Sequence, residues 1–106
     1  NNVEKINYYL SLLGDMNLTD DERKEYLYLS AKAQLDQNAD ITMITKTLDE
    51  LLKLDRYNPK YYFLLGRLQA EQGQAIEASD SLKKAIEYDL NYNITEEAMR
   101  LLSSID

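Results

Sequence analysis

Cysteine and histidine are both absent from this chain of 106 residues, and the two gaps together remove most of the common catalytic and metal-binding chemistry. Without cysteine there are no disulfides, zinc knuckles, iron–sulfur clusters or thiol nucleophiles, and the redox compartment stays open. Without histidine the commonest general base, the commonest transition-metal ligand and every Ser/His or Cys/His arrangement are lost. Glycine and proline are scarce, at 3 and 1, whereas an all-β domain of this length needs many more turn residues to reverse its strands. No apolar run reaches the ~18 to 20 residues that cross a bilayer, so no membrane insertion within the chain is expected. The opening Asn1-Asn2-Val3-Glu4-Lys5 lacks the basic and apolar regions of a signal peptide. The chain starts without Met, so a fragment or a processed form is expected, and the compartment stays open between cytoplasm and envelope.

What is present is a globular balance, 44% hydrophobic and 29% charged residues, enough apolar surface to offset the entropy of ordering the chain. The length suits one domain. A formal net charge of -7 repels a phosphate backbone or an anionic membrane face, so nucleic acid is not expected and basic or neutral partners are favoured.

Apolar spacing and end signals divide the chain into about six helices. Val3, Ile6, Leu10 and Leu13 form the stripe of a leading helix that Gly14 ends in a left-handed cap. Thr19, three residues before Glu22, gives a capping box and opens a second helix reaching about Gln37. Asp40 caps a third, with Ile41, Ile44, Leu48, Leu51 and Leu52 on one face, ending near Asp55. Asn58-Pro59 reads as cap and first residue of a fourth, running to about Gln72, because proline there has no N–H to lose. Gly73 makes a tight turn into a fifth, about Ala75 to Asp89, expected to bury Ile76, Leu82, Ala85 and Ile86. Asn93 with Glu96 supplies the cap of a sixth, whose core face is Ile94, Ala98, Leu101, Leu102 and Ile105.

The third and fifth helices repeat one another. Ile44 aligns with Ala78, Leu48 with Leu82, Leu51 with Ala85, Leu52 with Ile86 and Asp55 with Asp89, each 34 residues apart (78 minus 44, and so on). The same offset pairs Tyr28 with Tyr62 and Ala39 with Gly73. In the second copy Tyr62, Leu65, Gly66, Gly73, Ala78, Leu82 and Ala85 place large and small residues so that two helices cross closely, Gly66 opposite Ala78, with Tyr62 and Leu82 in the wider gaps. This pattern and its period resemble the tetratricopeptide (TPR) repeat family. The resemblance covers Glu25 to Tyr92. Gln69 stands where the family has an aromatic, Leu90 replaces the closing proline, and Lys32 and Ile44 replace the two close-contact residues in the first copy, where a wider crossing or a snorkelling Lys32 is expected. The resemblance implies an all-α solenoid of antiparallel helix pairs: leading helix and loop over 1–18, a degenerate repeat over 19–58, a well-matched repeat over 59–92 and a capping helix over 93–106.

Other chemistry is thin. Asp36, Asn38 and Asp40 alternate as at the start of an EF-hand loop, but Ile41 stands where its glycine belongs and Thr47 where its bidentate glutamate belongs, so helix caps are the better reading. The pairs Asp49-Glu50 and Glu96-Glu97 have no second carboxylate at catalytic geometry, and Lys83-Lys84 lies on a mixed face. No catalytic residue, metal or cofactor is expected. Of the 9 tyrosines, Tyr28 and Tyr62 are read as packing between helices; Tyr8, Tyr9, Tyr57, Tyr61, Tyr88 and Tyr92 either pack repeats together or form a partner-binding patch. Asn17-Leu18-Thr19 and Asn93-Ile94-Thr95 match the glycosylation triplet and are read as caps.

In the TPR family the first helix of each pair lines a concave surface that holds a peptide or partner helix. The resemblance carries this to Tyr26, Leu29 and Ala33 in the first copy and Lys60, Phe63, Arg67 and Ala70 in the second. Phe63 and Leu29 would give apolar anchors, and Arg67 could hold a carboxylate or carbonyl of the ligand. The family's best-known mode clamps a chaperone's terminal carboxylate with Lys and Asn. Leu29, Ala33, Phe63 and Arg67 depart from it, so a hydrophobic or mixed segment or helix of another protein is the expected ligand. An interaction module for complex assembly is the leading reading. A bacterial envelope assembly factor similar to those of cytochrome c maturation or pilus biogenesis is the alternative, and a carboxylate-dependent metal enzyme a remote one.

Overall fold

The computed structural model describes residues 19–37 and 40–105. Among them the backbone forms five α-helices and no strand: α1 Asp20–Asp36, α2 Ile41–Leu54, α3 Pro59–Glu71, α4 Ala75–Tyr88 and α5 Thr95–Ile105. The leading helix expected over Val3 to Leu13, with Tyr8, Tyr9 and Gly14 and the Asn17 triplet, lies outside the described residues, as do Asn38 and Ala39. The chain divides into two compact units, Asn1–Leu54 and Asp55–Asp106.

In the first unit α1 begins on the expected capping box. The Glu22 N–H donates to Thr19 Oγ1 at 3.2 Å, and the Thr19 N–H donates back to Glu22 Oε1 at 3.1 Å, satisfying donors that have no partner inside the helix. Asp20, Asp21 and Glu22 fill the first turn, where the positive end of the helix dipole stabilises them. The buried face of α1 is half polar, with Ser30 and Gln34 beside Ala31 and Leu35. It packs on Ile44, Leu48 and Leu51 of α2. Asp40 starts α2 as expected, Oδ1 accepting from the Thr42 N–H at 2.9 Å. Lys32 is exposed, so its charge stays in water while Ile44 fills the interior.

In the second unit Asn58 caps α3, Oδ1 accepting from the Lys60 N–H at 2.9 Å, with Pro59 in the first turn. Gly73 adopts φ 77°, a left-handed backbone that costs glycine nothing, and the chain turns straight into α4. A turn this short makes α3 and α4 neighbours. They approach closely at Gly66: a β-carbon there would lie 2.7 Å from Leu82 Cδ2 and 3.5 Å from the Ala78 carbonyl oxygen. Tyr61, Leu64 and Leu68 of α3 and Ala78, Leu82 and Ala85 of α4 form the core. Burying a leucine as fully as Leu82 stabilises by roughly 1.5–3 kcal/mol. Gln69, where the repeat pattern has an aromatic, accepts from Ser81 Oγ at 2.6 Å, a polar pair spanning α3 and α4. Where the pattern closes on proline, the Leu90 N–H donates to the Tyr88 carbonyl at 3.1 Å, a bond proline could not make.

Two expectations need correction. Ile76 is not buried but 84% exposed, because it lies in the first turn of α4, off the face that Ala78 and Leu82 turn to α3. Tyr62 packs between the helices as read: its ring lies 5.6 Å from that of Tyr88 on α4, and its hydroxyl donates to the Arg56 carbonyl at 3.1 Å. Asn93 does not cap α5. That role belongs to Asp89, whose carboxylate reaches the helix start from the end of α4.

Candidate functional site

Tyr26, Leu29 and Ala33 fall three and then four residues apart on α1, which places them along one face. Leu29 is 39% exposed, and Tyr26 and Ala33 are half-buried. On α3, Lys60, Phe63, Arg67 and Ala70 follow spacings of three, four and three and also share a face. Lys60 is exposed; Phe63, Arg67 and Ala70 are half-buried, away from the Tyr61, Leu64 and Leu68 side that forms the core. The structure thus brings together the three residues of the first unit and, separately, the four of the second. Each stripe mixes apolar and polar groups, so each can offer an apolar contact with polar groups beside it.

The tyrosines split. Tyr61 is a core residue. Tyr57, Tyr62 and Tyr88 pack together, Tyr57 edge-on to Tyr88 with ring centres 5.2 Å apart, and the Lys84 ammonium stands 5.7 Å from the centre of the Tyr62 ring. Such edge-on and cation–π arrangements each contribute about 0.5–1.5 kcal/mol. Tyr92 is 80% exposed and adopts φ 57°.

The Asp89 carboxylate is buried at the end of α4 and enclosed by donors at the start of α5. Its Oδ2 accepts from the Ile94 N–H at 2.8 Å, the Thr95 N–H at 2.9 Å and the Thr95 hydroxyl at 2.7 Å, while Oδ1 accepts from the Asn93 N–H at 3.1 Å. Burial pushes the carboxyl upward, but the bonds from Ile94, Thr95 and Asn93 outweigh it and hold the pKa below the ordinary aspartate value. This group is committed to structure, since its oxygens are occupied by the chain's own donors. Sequence reading missed it because the signal is non-local in register: an aspartate at one helix end, with a threonine opening the next helix six residues on.

Among the described residues no group of three or more Asp, Glu, His or Cys side chains is arranged to hold a metal ion, and no helix is long and apolar enough to cross a membrane. Comparison of the chain with protein-family models, with curated proteins and with solved structures gave no match.

Proposed function

We propose that this chain is a TPR-like protein-interaction module that binds a peptide segment or helix of another protein along the partly exposed stripes of α1 and α3, as a scaffold for complex assembly. A TPR-type solenoid of about six helices belongs to this reading. One observation carries it: the first helix of each pair keeps partly exposed apolar residues, Leu29 and Phe63, beside its buried core face. Apolar groups left partly wet beside polar ones are the chemistry that accepts an amphipathic segment. The 34-residue spacing of Leu48 with Leu82 and Leu51 with Ala85, all buried, supports a repeated unit. Affinity capture of partners by the wild-type chain and by a Phe63→Ala, Arg67→Ala double variant tests it. Loss of a captured protein, with helix content unchanged by circular dichroism, is the expected result; an unchanged set refutes the assignment of the stripe.

A further inference from the structure

We propose that α5 is a displaceable helix, latched to the α3–α4 pair by the Asp89 carboxylate and loaded against a strained turn at Tyr92, and that it opens as a unit while α3 and α4 stay folded. The apolar hold on α5 is weak. Ala98 is its one fully buried residue, while Ile94, Leu101, Leu102 and Ile105 all keep contact with solvent. The α3–α4 pair by contrast closes over Tyr61, Leu64, Leu68, Ala78, Leu82 and Ala85. Hydrophobic stabilisation follows the area removed from water, so α5 is held less firmly than the pair it leans on.

Polar bonds make up the difference, and they converge on one residue. Asp89 accepts from three successive backbone N–H groups, those of Asn93, Ile94 and Thr95, and from the Thr95 hydroxyl. The Thr95 N–H opens α5, where the first turn has no partner for it within the helix, and the N–H groups of Asn93 and Ile94 lead into it. Between latch and helix, Tyr92 sits at φ 57° with a side chain that is mostly in water. A β-carbon makes that backbone region costly, and no burial of the ring offsets it. Opening relaxes Tyr92, frees Asp89 and bares one apolar face made of Ile94, Ala98, Leu101, Leu102 and Ile105.

Native-state hydrogen exchange on the full chain tests this by amide. In the wild type, α5 amides should exchange at least about tenfold faster than those in the middle of α3 and α4, the signature of a separate opening unit. Asp89→Asn should raise α5 exchange by about a further tenfold, with α5 still exchanging faster than α3 and α4. Tyr92→Gly, which relieves the turn, should slow α5 exchange by about threefold. Should Asp89→Asn not fold, Thr95→Val removes only the hydroxyl bond and should speed α5 exchange by about threefold. Equal exchange across α3, α4 and α5 in the wild type, or α5 exchange that neither Asp89→Asn nor Thr95→Val accelerates, overturns the proposal.

Discussion

The side chain of Leu82 occupies the space that a β-carbon on Gly66 would need: such an atom would lie 2.7 Å from Leu82 Cδ2 and 2.8 Å from Leu82 Cγ. Leu82 is fully buried, and Cγ is a branch point, so it cannot swing aside as a chain tip can. Gly66→Ala therefore meets two opposed effects, a helix-propensity gain of about 1 kcal/mol and an overpacking cost of about 1–3 kcal/mol. Net destabilisation is expected in urea unfolding. In a Leu82→Ala background the obstacle is gone, and the same change should become neutral or stabilising, a coupling that a double-mutant cycle reads directly. Equal effects in both backgrounds would mean that the two residues do not share that space.

Gln34 is buried in α1, its Nε2 donating to Met43 Sδ at 3.1 Å while Oε1 has no hydrogen-bond partner. A buried acceptor left without a donor costs about 1–3 kcal/mol. Gln34→Leu, similar in size and without the orphaned oxygen, should stabilise the first unit by about 1 kcal/mol. A loss of stability in thermal unfolding would contradict the geometry at this site.

Asp89 should make stability depend on pH in one sense. Its native pKa lies below the ordinary 3.8, so the ionised form favours the folded state. That contribution is complete above 3.8, shrinks as pH falls past it, and vanishes below the native value. Asp89→Asn should cost on the order of 1 kcal/mol at pH 7, as loss of a helix cap does, and the gap to wild type should close as pH falls through this window. Denaturant titrations of both proteins across that range measure it; a gap that persists under acid contradicts the role given to the carboxylate.

Much of the helical layout was legible because the end signals are local. Thr19 with Glu22, Asp40, Asn58-Pro59 and Gly73 each act within four residues, and each works in the structure as its spacing implies. The half-polar buried face of α1 shows why those signals mattered: Ser30 and Gln34 blur the apolar stripe that α2 shows plainly. Long-range pairings were not legible. Nothing near Asp89 in the chain announces that it will cap α5, nothing near Ile76 says that its face of the helix lies in water, and Ser81 opposite Gln69 emerges only when α3 meets α4. The stripes at Leu29 and Phe63 were placed by the resemblance to the repeat family, whereas the tyrosine cluster of Tyr57, Tyr62 and Tyr88 emerges only when α3, α4 and the turn before α3 meet.

Site-specific photocrosslinking in the source cells tests the interaction reading most directly. A photoreactive residue in place of Phe63 on α3, or of Leu29 on α1, should capture the same partner polypeptide, and one in place of the exposed Lys83 on α4 should not. Capture from Lys83 alone, or equal labelling from all three positions, would contradict a ligand held on the first helix of each pair.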